Sequence, residues 1–227
     1  MKLKEMPVLP LVMIAVMFAV GAWVYPSLPD RIPMHWNAAG QIDRWEPTSL
    51  ANVFGEPLSA LGIYALFMLM PLIDPKRANL YRSKPIYFLV LDLTVALFLL
   101  MFLGGLAAAF YTSLPIDRLA LGGVGMMLVV IGNYMGRVKL NWTLGVRSAW
   151  TLSDDTVWTR TNRLGGRLFA VAGALSIMGT LLPPPWGFVI LMASALAILP
   201  VTFIYSMLLY RRLHPEDAGR PKPDAAR

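Results

Sequence analysis

The densest set of side chains able to bind or to do chemistry runs from Asn133-Tyr134 through Asn141, Gly145-Val146-Arg147-Ser148-Ala149-Trp150 and Trp158 to Asn162. It places one guanidinium among amides, a phenol and indoles, between runs of apolar sequence. A guanidinium grips a carboxylate or phosphate through paired hydrogen bonds, and a neighbouring indole shields the pair from water. Arg147 is therefore a candidate for holding an anionic group, and equally for an arginine that snorkels to lipid phosphates. Trp150, Asn141, Asn133, Tyr134, Trp158 and Asn162 are the candidate contacts around it. A second polar stretch, residues 28–40, contributes His35 and Asn37. With Asp43 and Glu46 nearby, His35 could belong to a metal or pH site, or shape the loop by hydrogen bonding. Zinc sites show tighter ligand clusters, so no metal is assigned. Asp92 interrupts the apolar run Leu89–Leu93. An acid inside such a run is costly; it either pairs with Lys84, Arg137 or water, or it handles a proton or ligand. His214 lies in a polar tail and carries no such signal.

The elements that position these residues are set by composition. The chain of 227 residues is 57% hydrophobic and only 15% charged, well below the quarter or so of a soluble domain. Apolar blocks near residues 8–25, 57–73, 85–111, 119–135, 164–182 and 186–210 are long enough to cross about 30 Å of hydrocarbon as helices and too long for barrel strands. The fold class is an all-α integral membrane protein of about six transmembrane helices. All but Arg31, Arg44 and Arg118 of the 20 lysines and arginines fall on the side of the termini. That bias predicts both termini in the cytoplasm, and it assigns the net charge of +7 to topology and anionic lipid rather than to nucleic acid. The first block reads as an uncleaved span, because it ends in Trp23 and Tyr25, which suit an interface anchor. There is no cysteine, and so no disulfide or thiolate metal site.

The organisation follows. Residues 1–73 form a two-helix unit with an extracytoplasmic loop, 26–56, whose prolines 26, 29 and 33 hold its start extended or turned and whose Ala39-Gly40 permits a tight turn. Residues 74–210 form a four-helix unit with a cytoplasmic loop, 137–163. Residues 211–227 are a disordered cytoplasmic tail. In the cytoplasmic loop, Ser153 reads as a helix cap with Asp154 and Asp155 in the first turn. The helix that follows carries Val157, Trp158, Thr161 and Leu164 on one side and Arg160, Arg163 and Arg167 on another, as an interfacial amphipathic helix does. Trp142, Trp150 and Trp158 place this loop on the bilayer surface. Ala170, Ala172, Ala174, Ser176 and Gly179 permit close helix packing, as does Gly122-Gly123-x-Gly125. Pro200 predicts a local kink.

Across 131–169 the chain resembles the SdpI family of bacterial membrane proteins, through Gly132-Asn133-Tyr134, Asn141, Gly145-Val146-Arg147, Trp150-Thr151-Leu152, Trp158, Thr161 and Gly165-Gly166. Residues 28–45 resemble the N-terminal domain of unknown function often fused to it, through Pro29, Ile32-Pro33, His35, Asn37 and Gly40. Two departures stand out. The family commonly has Thr-Pro-Trp after the arginine, where this chain has Ser148-Ala149-Trp150, which predicts a less rigid turn. It commonly has histidine after the threonine, where this chain has Asn162. The resemblance implies protection against a secreted, membrane-active peptide toxin and signalling to a cytoplasmic repressor held at the bacterial inner membrane.

No catalytic set emerges: there is no His-Glu-x-x-His, Gly-x-Ser-x-Gly, P-loop or helix-opening Gly-x-Gly-x-x-Gly. The reading is a non-enzymatic immunity or sensor protein with no cofactor. Its partners are membrane lipids, a peptide toxin and a repressor, with no direct nucleic-acid contact. A small transporter or permeation pathway using Asp92 is the alternative, and a lipid-active enzyme is the least favoured.

Overall fold

Inside a bilayer every backbone N–H and C=O has to be satisfied within its own segment or a closed sheet, and the apolar runs of this chain accordingly form helices. The computed structural model describes residues 6–218. Helix α1 (Val8–Val24) passes through a short 3-10 turn into a hairpin of β1 (Arg31–Trp36) and β2 (Ile42–Pro47). Then come α2 (Leu50–Ile73), the short α3 (Arg77–Arg82), α4 (Lys84–Phe110), α5 (Ile116–Met135), the short α6 (Ala149–Ser153), α7 (Asp155–Gly179) and α8 (Trp186–Leu213). Five helices are long and apolar enough to cross a membrane: α1, α2, α4, α5 and α8. Their outer faces expose large apolar side chains, such as Val12 and Val16 on α1 and Leu196, Leu199 and Ile204 on α8, which is a lipid-facing surface. The protein is an all-α integral membrane protein with one added hairpin.

Three expectations are corrected. First, the loop expected over 26–56 contains a β-hairpin and the first turns of α2. β1 and β2 pair antiparallel, with Arg31 opposite Pro47 and Trp36 opposite Ile42. Between the strands Asn37 Oδ1 accepts from Ala39 N at 2.9 Å and Gln41 N at 3.0 Å, and Gly40 turns the chain at φ +74°. Helix α2 starts before residue 57 because Ser49 caps it, accepting from Asn52 N at 3.2 Å.

Second, the amphipathic helix expected to feed into the fifth span does so without a break, but it starts one residue later than expected. Residues 155–179 are one helix, α7, about 37 Å long at 1.5 Å per residue. Its first half exposes Arg160, Arg163 and Arg167 and buries Val157, Trp158 and Thr161, so the expected faces are present on a single rod. Those arginines keep α7 out of the set that qualifies as spans on apolarity. Its cap is Asp154, not Ser153, which closes α6.

Third, the tail is ordered at its start: α8 runs to Leu213 through Pro200, and residues 215–218 form a 3-10 turn. Residues 219–227, and Lys2 and Lys4, lie outside the described residues.

Packing follows the small residues. α1, α2 and α4 share a core of Ile14, Met17, Ala60, Leu91, Val95 and Phe102. α4 packs on α5, α5 on α7, and α7 on α8. The α5–α7 seam is the tightest. A Cβ added at Gly132 would lie 2.5 Å from Gly166 O, and one at Gly125 would lie 2.8 Å from Gly173 O. These pairs step seven residues along each helix in opposite directions, so the helices run antiparallel with glycine facing glycine. Ser176 Oγ donates to Leu121 O at 2.8 Å on the same seam, and Gly179 meets Gly187 where α7 turns into α8.

A backbone carbonyl cannot step aside for a methyl group. Gly166→Ala is expected to destabilise the bundle by about 1–3 kcal/mol. Gly122→Ala, where a Cβ would meet nothing within 4 Å, is expected to be neutral. Thermal unfolding of the two variants in one detergent checks this, and equal midpoints would contradict the seam.

Candidate functional site

The segment between α5 and α6 has no regular backbone ladder, so its polar groups need other partners. Buried Asn141 serves several of them: its Oδ1 accepts from Thr143 N at 2.7 Å and Leu144 N at 2.6 Å, and its Nδ2 donates to Lys139 O at 2.8 Å and Leu144 O at 3.1 Å. Asp74, 5% exposed just past α2, accepts at Oδ2 from Trp142 N at 3.0 Å and Thr143 Oγ1 at 2.6 Å. Its Oδ1 accepts from Lys76 N at 2.7 Å. From α3, Asn79 Nδ2 donates to Leu140 O at 2.9 Å; Ser83 Oγ accepts from Lys139 N at 2.9 Å. From α7, Trp158, 1% exposed, donates its indole N–H to Val138 O at 2.8 Å and packs on Val138 and Leu140.

The stretch next to Arg147 is fixed as closely. Asn162 Oδ1 accepts from Val146 N at 2.8 Å, and its Nδ2 donates to Trp158 O at 3.0 Å. Gly145 adopts φ +124°, and a Cβ there would fall 2.7 Å from Asn162 Oδ1 and 3.0 Å from the Trp158 ring. Both the conformation and the space require glycine. The turn expected to be less rigid is closed by a reciprocal cap: Thr151 N donates to Ser148 Oγ at 3.2 Å and Ser148 N donates to Thr151 Oγ1 at 2.7 Å. Ser148 Oγ also lies 3.0 Å from Ser206 Oγ, which ties the loop to α8.

This frame leaves Arg147 exposed. Its Nη1 donates to Trp142 O at 2.6 Å, and no carboxylate is in ion-pair range of it among the described residues. It borders a cavity of about 730 Å³ whose apolar walls come from Val90 on α4, Met135 on α5, Phe169 on α7 and Ile198 and Phe203 on α8. Among the described residues Arg147 is the one charged residue in that wall. The size suits a small ligand or an acyl chain. Trp150 stands edge-on to Phe203, centroids 4.9 Å apart, beside the cavity.

The other residues singled out by sequence divide sharply. Asn141, Trp158 and Asn162 lie beneath the loop, buried in its support; of the three tryptophans Trp158 packs inward while Trp142 stays 50% exposed. Asn133 and Tyr134 point off the outer face of α5. Asn133 donates to Val129 O at 2.8 Å, and Tyr134 carries the Arg137 guanidinium 5.3 Å above its ring. His35 and Asn37 are at the other end of the molecule, in the hairpin, where His35 Nδ1 lies 2.6 Å from Asp43 Oδ1. Asp92 keeps Oδ1 buried with no hydrogen-bond partner; Lys84 sits over the Phe88 ring and Arg137 over Tyr134. Among the described residues no three His, Cys, Asp or Glu gather as a metal site.

Sequence reasoning missed Asp74 and His214. An acid directly after an apolar run, followed by Pro-Lys-Arg, was the available signal for Asp74. His214 lies 3.2 Å from Asp154 Oδ2 and stacks on Tyr210 at 4.4 Å.

Fold and site define an all-α membrane protein in which a hydrogen-bonded loop sets one arginine at the rim of an apolar cavity. Residues 137–206, which hold this loop and α6 to most of α8, match the model of the SdpI/YfhL protein family. Residues 12–61 match a domain of unknown function, DUF1648. The chain is 23% identical over 211 residues to a protein named Immunity protein SdpI from Bacillus subtilis (strain 168), covering 91% of this chain and 97% of that protein. The resemblance read from the residues is thereby borne out. No solved structure matches the chain.

Asp154 offers a pH test of the frame. The Val157 N–H, donating at 2.7 Å, holds its carboxyl below the usual value of 3.8 against the opposing effect of burial, with help from His214. A lowered folded-state pKa adds stability that is present above the unfolded value and lost as pH falls through the folded one. Wild type is expected to exceed Asp154→Ala by about 1 kcal/mol near pH 6. The gap should close below pH 3.8. Unfolding midpoints of both proteins across that range measure it.

Proposed function

We propose that the chain is an immunity-type protein of the bacterial inner membrane that protects its cell against a membrane-active peptide, with Arg147 as its working group. The observation that carries this reading is the loop itself. Asn141, Asp74, Trp158, Asn162 and Ser148 direct their hydrogen bonds inward, and what they hold outward is a single guanidinium at an apolar cavity. The similarity to Immunity protein SdpI along 91% of the chain supports the same reading. A guanidinium beside an apolar hollow suits the anionic end of an amphiphile, such as a lipid phosphate or a peptide carboxylate.

With both termini cytoplasmic, as the distribution of basic residues favours, the hairpin faces outward, toward the arriving peptide, and the Arg147 loop faces the cytosol. The unit 1–73 then meets the peptide. The unit 74–210 carries the bound state to the inner surface, where Arg147, Trp150 and Tyr134 are available to a repressor protein. No catalytic step is assigned.

The test is survival. A deletion strain is challenged with membrane-active peptides from sibling cultures, and wild-type, Arg147→Lys and Arg147→Ala copies are restored at matched membrane levels. Wild type is expected to rescue fully, Arg147→Lys in part because it keeps the charge but loses the paired geometry, and Arg147→Ala not at all. Full rescue by Arg147→Ala would remove the role given to it.

A second reading has its own observation, the buried Asp92 Oδ1 without a partner in α4. If the protein is a permeation pathway, proton or substrate flux into proteoliposomes is lost in Asp92→Asn. Flux equal to wild type, or none in wild type, removes that reading.

A further inference from the structure

We propose that a second cavity, beneath the β-hairpin at the end of the bundle opposite Arg147, is a binding site for an amphiphilic cation, a primary ammonium on an apolar body. The cavity is about 710 Å³, open on one side, and is lined by β1, α2, α4, α5 and α8. Val53, Phe102, Leu106, Ile116 and Phe188 form apolar wall, and Trp36 of the hairpin roofs it over Gly105.

Its charge is one-sided. The acids in the wall are Glu56 and Asp117, and among the described residues no lysine or arginine lines it. The histidine there, His35, is engaged by Asp43 at 2.6 Å across the hairpin. Asp117 lies in the first turn of α5 against the hairpin turn, so close that a Cβ at Gly40 would fall 2.7 Å from its Cγ. Glu56 is on α2, half-buried, and its carboxyl has no hydrogen bond or ion pair with any described residue.

An unpaired carboxylate in an apolar wall has lost part of its hydration and gained nothing in return. An ammonium supplies the missing partner through charge-assisted hydrogen bonds, and an attached alkyl body covers the wall and leaves water. An anion would meet two acids, and a neutral alcohol would leave the carboxylate without its counter-charge. The volume is that of a ligand pocket. The cavity at Arg147 selects by the opposite sign, so the two ends of the molecule suit opposite ends of an amphiphile. This inference rests on the hairpin cavity alone and is measured without reference to toxin resistance.

The probes are octylammonium, octanol and octanoate, added to the full chain in nanodiscs of zwitterionic lipid, with empty nanodiscs as the baseline. The readout is the saturable rise in unfolding temperature. Octylammonium is expected to act at about tenfold lower concentration than octanol, and octanoate not to act. Glu56→Gln breaks no ion pair, so it should fold, and it should abolish the preference for octylammonium over octanol. Asp117→Asn is the second variant and should reduce that preference several-fold. Equal action of octanol and octylammonium on wild type, or an undiminished preference in both variants, would overturn the site. A lysine-containing amphipathic peptide and its acetyl-lysine form identify the source. Competition with octylammonium by the lysine form alone marks a peptide side chain as the ligand; competition by neither marks a free amine.

Discussion

The near-contact of two backbones along α5 and α7 is the constraint on which the rest depends. In lipid, helices gain little from hiding apolar surface and associate through close packing instead. At Gly125/Gly173 and Gly132/Gly166 there is no room for a single methyl group. That seam fixes the depth and rotation of α7 against α5, and α7 carries the determinants of both ends. Its first half lifts Trp158 and Asn162 under the loop after α5. Its last turns bring Ser176 to Leu121 O and Gly179 to Gly187, which sets α8 against one wall of each cavity.

On that seam stands a loop held by side chains rather than by secondary structure. Buried polar groups stabilise a fold only when they are satisfied, and then they specify it tightly. Asn141 makes four hydrogen bonds, Asp74 three and Asn162 two. Several motif residues that look like ligands in the sequence are thus the frame, and the frame explains why so many polar residues surround a single exposed arginine. The serine at 148 and the asparagine at 162, both departures from the common family pattern, fit this frame through a reciprocal helix cap and a backbone hydrogen bond.

The two cavities give the molecule a polarity that its composition does not reveal. One is apolar with an arginine at its rim; the other is apolar with two acids in its wall and the hairpin over it. Both reach the same three helices, α4, α5 and α8, and the glycine seam separates them along the bundle. A ligand at one end and a partner at the other would therefore act on shared walls, which is the arrangement a membrane sensor needs.

Much of this was legible in sequence because the responsible physics is local. The length of an apolar run sets a membrane helix, and the long helices were located to within a few residues except where Ser49 and Asp154 moved helix starts by seven and nine residues relative to 57 and 164. The arginine and tryptophan faces of α7 follow from helical spacing, and the SdpI-type segment from the order of its motif. The hairpin was missed although Ile32 to Trp36 and Ile42 to Trp45 flank turn-forming Asn37–Gly40, because strands this short and this charged become strands only when paired. Which carboxylate does what was decided by tertiary structure alone. Asp74 meets Trp142 N across 68 residues of sequence, and Asp154 meets His214 across 60. Glu56 reads as a polar residue at a helix start until α4, α5 and the hairpin close a cavity around it. Sequence determined which segments enter the membrane, since hydrophobic transfer is additive along a segment. Tertiary structure decided which polar groups are paired and which are left free to bind, since a hydrogen bond depends on the position of a partner that no local pattern specifies.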